Sequence, residues 1–240
     1  MEPENLYGIE IEADYGHFRK NFTTSSPLTY GVPPRTAVSG LLGAILGLPR
    51  TGDGNYHEVF SDENSFIAVL NRPNESTEKQ TVNLNLLKIK GETEKLVKLD
   101  EPPEKITRSQ VPFEVVKNPR YRIYFNSEAL DDIEEFLKEE KSFYTPYFGI
   151  SEYIADYNYL GKFKVDKQEG EDVVDSVVPA EKAQKFEQGK KYLKENVSLF
   201  MNPEREVQKF GEVIYEENGE GVKAKAEYFQ ANGDKIIPLR

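Results

Sequence analysis

The chain is 240 residues long, carries 42 acidic against 31 basic side chains for a net charge of -11, and contains no cysteine. That length can bury a real core in one elaborated domain or two small ones. The missing cysteines exclude disulfides, thiol nucleophiles and every cysteine-ligated zinc or iron site, and His17 and His57 alone are too few for a histidine-rich metal centre.

Tyr7, Ile9, Ile11, Ala13 and Tyr15 alternate with polar or small residues, the period of a half-buried strand. Residues 18–30 are hydroxyl-rich and read as a loop. Val32-Pro33-Pro34 starts a helix, and Thr36 to Leu48 is apolar almost all round, so that helix is buried. Ser39, Gly43 and Gly47 make a small-residue stripe along it, open to the close approach of another backbone, and Pro49 stops it. Strands follow at Ser65 to Leu70 and over Val82, Leu84 and Leu86. Gly91 to Ile106 is charged and reads as a protruding hairpin or loop, and Val111 to Phe125 returns to strand character. Asn126 or Ser127 can cap a second helix with Ile133, Phe136 and Leu137 on its apolar face. Tyr157 to Val165 is another strand.

This order, β-α-β-β-α-β with an excursion between the middle strands, is the ferredoxin-like pattern of an α+β domain over residues 1–166. After Asp166 a charged stretch runs to about Glu195. Three short strands then close the chain, separated by the hairpin signals Asn218-Gly219 and Asn232-Gly233, so residues 167–240 read as a small β-rich appendage.

No apolar run approaches the roughly 20 residues a spanning helix needs. The opening MEPENLYG has neither the basic nor the apolar region of a secretory signal, so the expectation is a soluble cytoplasmic protein with no membrane contact. Phosphate loops, zinc-protease and nucleophile-elbow motifs are absent, and no cofactor or metal is expected.

The net charge hides an uneven distribution. Phe18 to Gly52 has no acid and carries Arg19, Lys20, Arg35 and Arg50; Lys105 to Phe125 has Lys105, Arg108, Lys117, Arg120 and Arg122 against Glu114. Each segment is net +4, so the remainder holds -19 of the total -11. Arg19 and Lys20 with the run Thr23-Thr24-Ser25-Ser26 offer charges, hydroxyls and backbone N–H groups to RNA phosphates. Arg35, at the first turn of the buried helix, either meets an anion there or pairs with an acid of the protein. Tyr15 with His17 suggests metal-free acid-base cleavage of RNA, set against the more ordinary reading of a structural histidine.

The run from Phe18 to Ile45, with its F-R-x-x-F-x-T-S-x-P-L-T loop and PPRTA helix start, closely resembles the N-terminal signature of the Cas-five family. The resemblance continues through Arg108-Ser109-Gln110, Asn118 to Tyr124 and Thr145 to Asp156, and covers nearly the whole chain. That family belongs to the RAMP superfamily and supplies a subunit of type I CRISPR Cascade complexes, here with a tail like the I-B branch. The resemblance implies an RRM-like fold and a subunit that grips the 5′ handle of CRISPR RNA. It implies packing against the Cascade backbone subunit and the large subunit, with target DNA near the flanking motif met mainly through the complex. A thumb hairpin would span about Val82 to Phe113. The implied RNA-binding set is Arg19, Lys20, Thr23, Thr24, Ser25, Arg35, Arg108, Gln110, Arg120 and Arg122. The I-C branch of the family cuts precursor RNA with a Tyr/Lys/His constellation. Here Ile45 stands in the helix where that tyrosine is sought, and no histidine follows Arg108, so a non-catalytic subunit is expected, with precursor cleavage as the alternative.

Overall fold

The computed structural model describes residues 2–23, 26–71, 78–88 and 107–240, and of residues 87–88 and 107–108 it describes the backbone. The chain is α+β and rich in sheet. Its principal sheet joins β1 (Asn5–Glu12), β5 (Ser65–Asn71), β8 (Arg120–Ser127) and β9 (Asp156–Lys164) in the order β5-β8-β1-β9. Every neighbouring pair is antiparallel, with Ile9 opposite Ile123 and Ile123 opposite Val69. A register shift between Gly8 and Ile9 bends β1 against β9.

Both faces of this sheet are covered. On one, Ile9, Ile11, Ile67, Val69, Tyr121 and Ile123 pack in one cluster with Val38, Leu41, Leu42 and Ile45 of α1 (Arg35–Leu46). On the other, Leu6, Phe66, Ala68, Leu70 and Tyr124 meet Phe229, Ala231 and Ile236. These last come from β14 (Val222–Ala231) and β15 (Asp234–Ile236). Double coverage explains why Ser65 to Leu70 reads as an unbroken apolar run: all of β5 is buried.

The helix α1 begins where the two prolines place it, with Ala37 and Val38 N–H groups bonding the Pro34 carbonyl, and ends at Gly47 in the left-handed conformation (φ 72°). Side chains fill the small-residue stripe. A β-carbon at Gly43 would lie 2.8 Å from Tyr56 Cβ, and one at Gly47 would lie 2.6 Å from the Phe143 ring. Among the described residues backbone approaches at the helix end, where Phe143 and Tyr144 N–H groups bond the Ile45 and Ala44 carbonyls at 3.1 and 3.0 Å.

Three expectations change. The second helix is one short turn, α2 (Glu134–Lys138), with no side-chain cap at its start. Asn126 and Ser127 are engaged elsewhere: Asn126 Oδ1 accepts from the Ser127 N–H, and Ser127 Oγ bonds the Val59 carbonyl. The charged stretch after Asp166 contains a full strand, β10 (Asp166–Val174), paired along its length with β14; ion pairs such as Lys223–Glu171 (2.8 Å) replace the apolar alternation that would have marked it.

The turn at Asn218-Gly219 closes no hairpin. Glu216 accepts the Asn218 and Glu220 N–H groups at 2.7 and 3.1 Å. The chain there passes from β13 (Val207–Glu216) into another sheet, since β13 lies between β11 (Val178–Pro179) and β12 (Tyr192–Met201). Asn232-Gly233 does close a hairpin, joining β14 to β15 with both residues at positive φ.

Two further small sheets frame the basic loop. Strand β7 (Thr107–Lys117) pairs with β6 (Lys79–Lys88) and with β2 (Tyr15–Gly16). Strands β3 (Phe18–Arg19) and β4 (Thr29–Tyr30) form a two-residue ribbon at the base of the loop. Among the described residues no helix is long and apolar enough to cross a membrane.

Leu42 is fully buried in the cluster that joins α1 to the sheet. Leu42→Ala is expected to lower the free energy of urea unfolding by about 2–5 kcal/mol.

Candidate nucleic-acid interface

The basic loop leaves the β3–β4 ribbon as a tight turn. The Lys20 N–H bonds the Leu28 carbonyl at 2.8 Å, and the Thr23 N–H bonds the Lys20 carbonyl at 3.2 Å. The exposed Arg19 donates from Nη2 to the Thr23 carbonyl at 2.8 Å, so its guanidinium folds along the turn. Thr23 is not free to meet a phosphate: its Oγ1 donates to the Lys20 carbonyl at 2.8 Å and accepts from the Leu28 N–H at 3.4 Å. Between them Phe22 is 70% exposed. Thr24 and Ser25 lie outside the described residues.

The base of the loop rests on a buried acid from β12. Glu195, 8% exposed, takes Lys79 Nζ at 2.9 Å and Lys20 Nζ at 3.1 Å on the same oxygen, Oε1. Its Oε2 accepts the Gly31 N–H at 3.0 Å and the Tyr215 hydroxyl at 3.2 Å. Lys20 also lies 5.5 Å from the centre of the Tyr30 ring. Tyr30 donates to the Asn196 carbonyl at 2.7 Å, and Tyr121 donates to the Gly31 carbonyl at 2.7 Å. Only glycine fits at position 31, because a β-carbon there would run into the Tyr215 hydroxyl.

Of the two sequence readings of Arg35, the structure shows the pair with an acid of the protein. It is 1% exposed and bonds the Ser65 hydroxyl at 2.7 Å and the Ser61 carbonyl at 3.0 Å, with Asp62 at 3.2 Å from Nη1. Burial pushes its pKa down to about 10, against the pull of Asp62. The guanidinium ties α1 to the start of β5 and has no open side for RNA.

The remaining candidates sit elsewhere. Arg120 Nε lies 2.7 Å from Glu12, and Arg122 lies 2.7 Å from Asp234 and 3.4 Å from Glu10. Their side chains leave β8 on the face opposite Tyr121, the strand's contact to the loop. Gln110 is exposed on β7 opposite Asn85, and the Arg108 backbone is opposite Leu87. The structure therefore gathers Arg19, Lys20 and Thr23, and leaves Arg35, Arg120 and Arg122 in separate ion pairs.

Sequence reasoning missed Lys79 and Glu195. A signal for the second was available: Glu195, Val197 and Leu199 fall in phase on β12, placing an acid on the buried side of an alternating strand. A cleft of about 550 Å³ near Arg120 and Lys117 is lined by Glu12, Asp14, Glu78 and Asp156 as well, a carboxylate-rich wall unsuited to phosphate.

His17 does not reach solvent. It is 2% exposed, its Nδ1 is 2.7 Å from the Glu114 carbonyl oxygen, and its ring lies 5.1 Å from that of Phe113. Burial lowers its pKa and that of His57. The fold therefore favours the neutral form of both imidazoles, and both protonate more readily when it opens. Their contribution is complete above the unfolded value of about 6.5 and is lost as pH falls below it, at no more than about 1.4 kcal/mol per pH unit for each histidine. Urea titrations from pH 7.5 to pH 5 are expected to show declining stability, with the decline shallower in His17→Gln.

A family model described as CRISPR-associated protein (Cas_Cas5) matches residues 7–213. No curated protein matches the chain. Among solved structures, the chain is similar to a CRISPR protein from Archaeoglobus fulgidus, at 15% identity and TM-score 0.54, covering 98% of this chain and 100% of that one. It is also similar to a chain in the cryo-EM structure of the Type III-B Cmr-beta complex bound to cognate target RNA and AMPPnP, at 13% identity and TM-score 0.51, covering 90% and 86%. At these identities the likeness shows the fold.

Proposed function

The chain belongs to the CRISPR-associated Cas5 family, and from that membership we propose that it is a non-catalytic subunit of a type I Cascade complex, of the I-B branch, that binds the 5′ handle of CRISPR RNA. The observation that carries this reading is the pinned basic turn. Arg19 is held along it, Lys20 is seated at its base, and an exposed aromatic, Phe22, stands between Lys20 and Thr23. Cations beside an exposed ring are the usual means of holding single-stranded RNA. Both faces of the principal sheet are covered, which favours the loop over a sheet face as the platform.

The order β5-β8-β1-β9, with β1 and β5 running the same way on either side of β8, supports a ferredoxin-like reading. Pairing of β6 with β7 from Lys79–Val116 to Lys88–Thr107 supports a thumb over about residues 82–113, whose outer part lies outside the described residues. In this reading the subunit caps the Cascade backbone beside the large subunit, and target DNA is met through the assembly. The burial of His17 supports leaving precursor cleavage to another subunit.

Replacing Arg19 and Lys20 together by alanine is expected to weaken binding of single-stranded repeat RNA and to reduce the slope of log K against log salt by about 1.4, the share of two charges. Unchanged affinity and slope would refute RNA binding by this loop. Cleavage of repeat RNA by the unaltered chain in EDTA would refute the non-catalytic assignment.

A further inference from the structure

We infer that Lys79 and Lys20, set on the Glu195 carboxylate, form a built seat for one phosphodiester of the bound single-stranded RNA. The inference rests on the RNA-binding reading above and adds to it a residue from outside both acid-poor segments. Both ammonium nitrogens lie against one oxygen, at 2.9 and 3.1 Å from Glu195 Oε1, so they are at most 6.0 Å apart. That separation allows each to reach a different non-bridging oxygen of the same phosphate at an ordinary charge-assisted distance of about 2.8 Å.

Donor accounting leaves room for such an anion. An ammonium has three N–H donors. Among the described residues Lys79 spends one on Glu195 and one on the Thr29 carbonyl at 3.0 Å, which leaves one. Among the described residues Lys20 spends one on its ion pair, which leaves two. The two lysine side chains are 22% and 19% exposed while the Glu195 side chain is 6% exposed, so the carboxylate is the most deeply placed of the three groups. Two cations on one acid leave the seat at +1. The neighbouring Glu114 carboxylate is turned to the Thr29 N–H at 3.0 Å.

The arrangement also assigns Glu195 a positioning role. Without it the two ammoniums repel each other, and the Gly31 N–H at the base of the loop loses its acceptor. This gives a test with opposite signs. A carboxylate that merely sits near RNA weakens binding, so removing its charge tightens it. A carboxylate that holds the seat strengthens binding, so removing it loosens it.

The test measures anisotropy of a labelled single-stranded repeat RNA with the full chain across a salt series, each variant first compared by thermal melting. Lys79→Met is expected to weaken binding roughly 3- to 10-fold and to lower the salt slope by about 0.7, one charge on a single strand. Glu195→Gln is expected to weaken binding although it removes a negative charge. Lys194→Met, which removes an exposed lysine of β12 paired with Glu212 of β13, controls for net charge and is expected to change neither quantity. If Lys79→Met behaves like Lys194→Met, or if folded Glu195→Gln binds more tightly, the seat is overturned. Should the Arg19/Lys20 double variant still lose affinity in that case, RNA binding by the loop stands without the seat; should no variant lose affinity, both fall.

Discussion

A carboxylate taken out of water is costly unless its charge is answered, and Glu195 is answered from four directions. Lys79 arrives from the base of the β6–β7 hairpin, Lys20 and the Gly31 N–H from the basic loop, and the Tyr215 hydroxyl from the neighbouring strand. The same strand, β12, meets the rest of the signature segment residue by residue. The Asn196 carbonyl takes the Tyr30 hydroxyl, Ser198 meets Thr36 at 2.6 Å, and the Leu199 carbonyl takes Arg35 at 3.4 Å. The loop is thus shaped by a strand from the other end of the chain, and its glycine, tyrosine and lysine are dictated by what lies beneath them.

Arg35 shows the same economy with the opposite charge. A cation at a helix start stands at the positive end of the helix dipole, an unfavourable place. It is tolerated because Asp62, Ser61 and Ser65 surround it, and Asp62 is shared with Lys209 at 2.7 Å. Pro33-Pro34 fixes the helix start, the helix start fixes the direction of Arg35, and Arg35 locks α1 to β5. A motif that reads as an anion site in one dimension is a joint between two elements in three.

The elements legible in the sequence were those whose pattern is local. Strand β1 announces itself by alternation, α1 by its proline start and apolar surface, and the β14–β15 hairpin by Asn232-Gly233. Strand β10 is silent because its cross-strand partners are charges, and the second helix is shorter than its cap suggested because Asn126 and Ser127 bond elsewhere. At the site, the loop cations were visible because acids are missing around them. Glu195 left a trace as an acid in phase with Val197 and Leu199, but nothing in the sequence brings Lys79, 116 positions away, onto its oxygen. Which cations were already paired was equally hidden: the partners of Arg120 and Arg122 belong to β1 and β15, and that of Arg35 to the turn before β5.

The bond between the Gly31 N–H and Glu195 spans 164 positions of the chain. During synthesis the basic turn emerges early, while the strand that seats it comes out only after most of the polypeptide. Until then Lys20 has no carboxylate, and Gly31 and Tyr30 lack their partners on β12. Closing so long a loop is entropically slow. The basic turn therefore belongs among the last parts of the molecule to take its final shape, although it is encoded among the first, and a chain that stopped short of β12 would carry the signature without the conformation.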